Sequence, residues 1–272
     1  MAVCYRHPRR ETNVSCSACG RPICADCMTV TPVGMRCPDC ARQRTRVRRV
    51  SGIPALRAGA APATYALIAI NVAVFVAELA GGGSSGSFQE GTKLIRHAGL
   101  NGPAVASGDW WRIVTAGFLH ANFLHIAFNM FALYVLGTLL EPGIGTPRFL
   151  AVYFVSLLAG SFGALILTPD STTVGASGAI FGLLAAAFVI ARHRGIEQLA
   201  SQLAFFVVIN LVFTFGVSGI SIGGHLGGLV AGALCGLLIV FSERRARRAV
   251  AVEAIGMLAL AALSVIGALA VA

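Results

Sequence analysis

From residue 63 onward the chain alternates long apolar stretches with short polar ones; before that point the pattern is polar and broken. A helix needs about 20 apolar residues to cross roughly 30 Å of hydrocarbon. Seven stretches qualify as candidates: residues 64–80, 113–140, 149–167, 177–191, 199–217, 220–241 and 250–271. The second is long and the fourth short, so their ends are soft by several residues. Between the first two lie about thirty residues, 81–112, with a Gly/Ser run and then Trp110 and Trp111. Connections of that length are more often functional than passive, and paired Trp suits a membrane interface. The pattern predicts an all-α polytopic membrane protein with seven transmembrane helices.

Composition sharpens this reading. Hydrophobic residues make up 56% of the 272 positions and charged residues 12%, against about 25% charged in soluble domains. A soluble enzyme, a disordered chain and a fibrous repeat are excluded. The net charge of +10 comes from Lys and Arg that flank apolar runs; all but Lys93, Arg96 and Arg112 fall on one side of the predicted topology. The positive-inside bias then places the N-terminus in the cytoplasm of a cell whose plasma membrane holds the protein, and the C-terminus outside. The first residues have no apolar run of the signal-peptide kind, so no cleavage is expected. Residues 41–62 carry Arg42, Arg44, Arg46, Arg48, Arg49 and Arg57 among Pro and Gly. They form a basic linker that suits anionic lipid headgroups; without interleaved aromatics, nucleic acid is not an expected partner.

Seven of the eight Cys lie in residues 1–40. With His7 they make four pairs, each spaced by two residues: Cys4 and His7, Cys16 and Cys19, Cys24 and Cys27, Cys37 and Cys40. Eight ligands supply two tetrahedral zinc sites, and an odd Cys count in a reducing compartment argues against disulfides. The nested pairs resemble the B-box type of zinc finger. That resemblance implies cross-braced pairing, with Cys4, His7, Cys24 and Cys27 on one ion and Cys16, Cys19, Cys37 and Cys40 on the other. Such a head, folded by structural zinc, is either a docking module for a cytoplasmic protein or a passive cap.

Polar groups within spans are costly and mark function by default. His120, His125 and Asn129 open the second span, Ser177 opens the fourth, and His225 lies in the sixth. His125 and Asn129, four apart, share a helix face. Each alone has a structural explanation, because Ser bonds a carbonyl one turn back and Asn joins helices. Their occurrence together at the same ends of neighbouring spans points to chemistry. Gly224, Gly228, Gly232 and Gly236 recur every four residues, and Gly175, Gly178 and Gly182 offer a matching small surface. Close packing of these two helices would bring His225 to Ser177, where the imidazole can serve as the base that a hydroxyl nucleophile requires. Asp26, Asp39, Asp109 and Asp170 all lie in the head or loops, which leaves a Ser–His dyad without a carboxylate. Phe181, one turn below Ser177, is placed to stack on the imidazole.

These residues resemble the rhomboid intramembrane serine proteases. The likeness covers Trp111-Arg112 in the first loop, then His120, His125 and Asn129 at the start of the second span. It continues with Glu141 near that span's end, Gly175-Ala176-Ser177-Gly178, and His225 among Gly224, Gly227 and Gly228. The resemblance implies a six-helix core at 63–241, with residues 242–272 adding a basic loop and a seventh helix. It implies Ser177 as nucleophile and His225 as general base. The Ser177 N–H with the His125 and Asn129 side chains would hold the oxyanion, and His120 would be in support. Trp111-Arg112 would anchor the first loop at the lipid interface, catalysis would need no cofactor, and the substrates would be single-pass membrane proteins. The alternative is a rhomboid-like protein that binds membrane helices without cutting them; such relatives usually lack the Ser or the His, and both are present.

Overall fold

The structure, a computed structural model, describes residues 2–31, 34–42, 61–80, 92–243 and 247–272, without the side chains of 247–249. Most of the basic linker, the Gly/Ser run, Arg244 and Arg245 lie outside the described residues. The chain divides into two compact units, Met1–Ile53 and Pro54–Ala272.

The first unit is built around its cysteines. Strands β1 (Ala2–Cys4) and β2 (His7–Thr12) form one antiparallel hairpin, and β3 (Thr29–Thr31) and β4 (Gly34–Arg36) form another. Helix α1 (Pro38–Arg42) closes it. Its buried cluster consists of Ile23 and six cysteines, with Tyr5, Val14 and Met28 packed around them. So few apolar residues cannot offset the entropy of ordering a forty-residue chain.

The second unit is helical. Helix α2 (Pro62–Ala80) leads through the short helices α3 (Lys93–Ala98), α4 (Gly102–Ala106) and α5 (Arg112–Thr115) to α6 (Phe123–Ile144). Then follow α7 (Thr146–Leu167), α8 (Ser177–His193), α9 (Glu197–Gly216), α10 (Ile222–Glu243) and α11 (Arg247–Val271). Among the described residues six helices are long and apolar enough to cross a membrane, and α8, at 17 residues, is the shorter seventh. The chain is a multi-pass integral membrane protein. Large side chains such as Phe123, Phe128, Phe131, Phe205 and Phe213 are exposed around its perimeter, as a hydrocarbon solvent permits.

Two expectations need correction. The span expected at 113–140 begins ten residues later, at Phe123, and runs to Ile144. The reason is local: Asn122 has extended backbone and its side chain accepts the His125 N–H at 2.9 Å, a helix N-cap that stops α6 from extending backward. Residues 112–118 are separate short turns, and His120 therefore precedes the helix instead of lying within it. The connection after α2 is likewise partly ordered. Thr92 Oγ1 accepts from the Ile95 N–H and Asn101 Oδ1 from the Ala104 N–H, capping α3 and α4.

The core lies where α7, α8 and α10 meet. A Cβ on Gly228 would run into the backbone of Gly178, and one on Gly232 into that of Gly182. Helices α8 and α10 thus touch backbone to backbone, with no side chain between them. Within lipid, where apolar side chains gain nothing by leaving a like solvent, such close van der Waals contact is what holds helices together.

At the opposite end a buried carboxylate joins three helices. Glu141 accepts from the Ala63 and Thr64 N–H groups at 3.0 and 2.9 Å, and from the Thr64 and Thr146 hydroxyls at 2.7 Å each. Two of these donors are orphan N–H groups of the first turn of α2, where the helix dipole also favours a negative charge.

Candidate active site

Ser177 begins α8, and the segment leading to it is held by the first loop. Leu100 and Thr173 exchange backbone hydrogen bonds at 3.0 and 2.8 Å, the Gly102 N–H donates to Pro169 O, and the Gly175 N–H donates to Ala116 O. Gly175 has φ +124°, open to glycine alone at low cost, and a Cβ there would meet the His125 ring at 2.7 Å. Ala176 precedes α8 with no side-chain cap. The first N–H groups of α8, that of Ser177 included, therefore have no intrahelical or capping partner.

Helix α10 brings His225 to the serine. Its Nε2 is 2.8 Å from Ser177 Oγ, and its ring lies on Phe181 with centroids 4.1 Å apart and planes at 19°. His225 is buried and Ser177 half-buried. The other ring nitrogen, Nδ1, is 2.7 Å from Thr214 Oγ1 on α9, and that hydroxyl also donates to Asn210 O at 2.7 Å. Sequence reasoning passed over Thr214. A lone Thr in a span is commonplace, and only the fold shows that it faces the imidazole.

His125, at the start of α6, accepts the Ala121 N–H on Nδ1 at 3.4 Å. That leaves the proton on Nε2, at the ring edge that abuts Gly175, two residues before Ser177. Asn129 is buried and gives one amide hydrogen to His125 O at 2.9 Å, which leaves its second N–H available. The His120 ring stands edge-on to His125 with centroids 5.1 Å apart, fully buried, and neither ring nitrogen has a hydrogen-bond partner among the described residues. Its backbone N–H reaches the carboxylate of Glu78, the buried acid near the end of α2, at 3.3 and 3.4 Å. Glu78 was also missed, although an acid in an apolar run is itself a signal.

Trp111 and Arg112 act differently from a lipid anchor. Arg112 is buried; its Nε lies 2.9 Å from Asp109 Oδ2, and its Nη1 donates to the Arg96 and Gly99 carbonyls at 2.9 Å each. It ties the first loop together from within. Trp111 is half-buried against His97, and Trp110 is the exposed member of the pair.

In the N-terminal unit two groups have their ligand atoms within 4.8 Å of one another: Cys4, His7, Cys24 and Cys27, and Cys16, Cys19, Cys37 and Cys40. His7 Nδ1 is 3.3, 3.4 and 3.8 Å from the sulfurs of Cys24, Cys27 and Cys4, and the Cys19 and Cys37 sulfurs are 3.8 Å apart. A tetrahedron with metal–sulfur bonds of about 2.3 Å has edges of about 3.8 Å, so both groups could hold a metal ion. The Cys37 N–H, 3.2 Å from Cys16 Sγ, helps draw that thiol down to about 6. Cys40, sharing hydrogen bonds with Cys37 and Cys19, is pushed up to about 12. Four sulfurs so close resist full ionisation unless a cation lies among them.

Fold and site together define a helical membrane protein in which a serine and a histidine, carried on directly touching helices, share a hydrogen bond at one end of the core. Comparison with known proteins makes the class specific. The Rhomboid domain matches residues 107–242, half of the chain. Over 219 residues the sequence is 30% identical to rhomboid protease AarA of Providencia stuartii, covering 70% of this chain and 76% of that one. It is 35% identical over 172 residues to rhomboid protease GluP of Bacillus subtilis, covering 62% of this chain and 33% of GluP. It is also 35% identical over 156 residues to rhomboid-like protease 1 of Toxoplasma gondii, covering 53% of each. The chain belongs to the rhomboid family, though it spans only a third of GluP and about half of the Toxoplasma protein.

Proposed function

We propose that this chain is an intramembrane serine endopeptidase that cuts single-pass membrane proteins in or near their transmembrane segments by a Ser177–His225 dyad. The observation that carries the reading is the 2.8 Å contact between Ser177 Oγ and His225 Nε2. His225 takes the hydroxyl proton as Ser177 attacks the scissile carbonyl, then returns it to the leaving amine; water repeats the cycle to release the acyl product. The oxyanion is received by the Ser177 N–H, His125 Nε2–H and the second Asn129 N–H, donors of a kind worth about 3 kcal/mol each in the transition state. A cavity of about 30 Å³ beside Ser177, lined by Gly175, Gly178, Leu157 and Ser221 among others, supports cleavage after a small residue.

The protease core occupies 63–241, with residues 242–272 as an added loop and helix. The N-terminus and its head, residues 1–40, face the cytoplasm of a plasma-membrane protein, and the site opens to the outer side, in keeping with the positive-inside bias. Zinc fills both ligand groups of the B-box-like head as structural metal, and the head docks a cytoplasmic protein. The Arg-rich composition of the linker 41–62 favours anionic lipid as its partner.

The reading is tested by labelling the purified, detergent-solubilised protein with a serine-reactive fluorophosphonate. Wild type is expected to label, and Ser177→Ala and His225→Ala to lose labelling while still folding. A folded wild type that does not label, or undiminished labelling in either variant, refutes it.

A further inference from the structure

Among the described residues, α9 buries only Ala200, Leu203 and Thr214 of its twenty. Thr214 is the polar one, 2% exposed, and its hydroxyl lies between His225 Nδ1 and Asn210 O. A hydroxyl has a single proton to give. The carbonyl of Asn210, 2.7 Å away, can only accept, so the Thr214 proton is directed there. The 2.7 Å contact with His225 is then an Nδ1–H donating to Thr214 Oγ1. With its proton on Nδ1, the neutral imidazole presents a lone pair at Nε2, toward Ser177 Oγ at 2.8 Å.

We propose that Thr214 is the positioning residue of this site, fixing the tautomer and in-plane orientation of His225. The inference deepens, and rests on, the reading of Ser177 and His225 as nucleophile and base. Phe181 cannot do this work: a ring stacked at 19° constrains the imidazole plane but not its rotation within that plane, nor which nitrogen bears the proton. The backbone contacts of α8 and α10 fix how far apart the two helices stand, and not the imidazole's protonation. The buried carboxylates nearest in kind are engaged elsewhere, Glu78 with the His120 N–H and Glu141 at the opposite end of the helices. Thr214 also accepts from the imidazolium, which retains its Nδ1–H, so the same contact supports the base before and after it takes the serine proton. It thereby makes α9, which packs thinly along most of its length, part of the support for the base.

The test uses the full chain in detergent and the fluorophosphonate as probe, with the concentration dependence of labelling resolved into a binding constant KI and a chemical rate kinact. Thr214→Val keeps shape and removes the acceptor. It should lower kinact by about tenfold to a hundredfold, the order that an orphaned buried donor imposes, with KI within about twofold. Thr214→Ser restores the hydroxyl without the methyl and should recover most of kinact. A valine variant at the wild-type kinact, or a folded serine variant as slow as the valine one, overturns the proposal. A second arm needs no reaction. In the Ser177→Ala background, 15N NMR of the histidines should show His225 as the Nδ1–H tautomer, and adding Thr214→Val should shift it toward Nε2–H. Finding Nε2–H before Thr214 is changed overturns the assignment. If folded wild type fails to label at all, the protease reading falls, and the tautomer measurement still decides the role of Thr214.

Discussion

At the scale of single residues, the site depends on side chains whose second atoms are already occupied. Asn129 spends one amide hydrogen on His125 O and keeps the other free, and His125 accepts on Nδ1 and so must donate from Nε2. On the proposed reading each donor is oriented before any substrate arrives, which is where electrostatic stabilisation of an oxyanion gains its strength. Asn129→Ala should therefore lower the labelling or cleavage rate by about a hundredfold or somewhat more while leaving measurable activity, because the Ser177 N–H and His125 remain. A rate equal to wild type would remove Asn129 from the oxyanion hole. Ser177, His225, His120, His125 and Asn129 stand out in the sequence as polar groups in or beside apolar spans, and the oxyanion roles proposed for His125 and Asn129 come from the family resemblance. Thr214 and Glu78 do not stand out, because their significance comes from which helix they face, and a single Thr or a terminal Glu in an apolar run has no periodicity to reveal it.

At the scale of elements, the glycine repeat of α10 was readable as a ridge, and the partner surface on α8 could be matched to it by eye. What the pattern could not give was the absence of any side chain between the two backbones at Gly228 and Gly232. Gly232→Ala should force the helices apart, costing about 1–3 kcal/mol in stability and separating His225 from Ser177 in the same motion. The expected result is a lower Tm together with a loss of labelling larger than the loss of folded protein at the assay temperature. Unchanged labelling would show that the dyad tolerates helix separation. The boundary of α6 was the weakest element-level reading. Apart from Thr115 and Gly117 the residues of 113–118 are apolar, and only the capping geometry of Asn122 shows where the helix begins. The family resemblance implies a lipid anchor at Trp111-Arg112, in keeping with paired Trp at an interface; buried, Arg112 instead satisfies carbonyls that the short helices of that loop leave open.

At the scale of the whole molecule, the chain couples two unlike sources of stability. The helical unit is held by van der Waals contact and internal hydrogen bonds, and the N-terminal unit has almost no apolar core outside its cysteines. Metal analysis should find two zinc ions per chain, and a chelator should unfold residues 1–40 with little effect on the helical content of the remainder. Zero or one ion in folded protein would refute the eight-ligand assignment. Deleting residues 1–40 should leave fluorophosphonate labelling in detergent at the wild-type rate; its loss would make the head part of the enzyme.

Helix α8 has a further consequence, for the membrane itself. Its 17 residues rise about 25 Å, short of the roughly 30 Å of hydrocarbon around its longer neighbours. Much of its length is buried among α6, α7, α9 and α10, so it has little need to match the lipid. Bilayer thickness therefore acts first on the outer ring of helices, and a shortfall at the Ser177 end of α8 would be open to water. On the proposed reading, a thicker membrane would lengthen the path from lipid to Ser177 while leaving the distance between serine and histidine as it is.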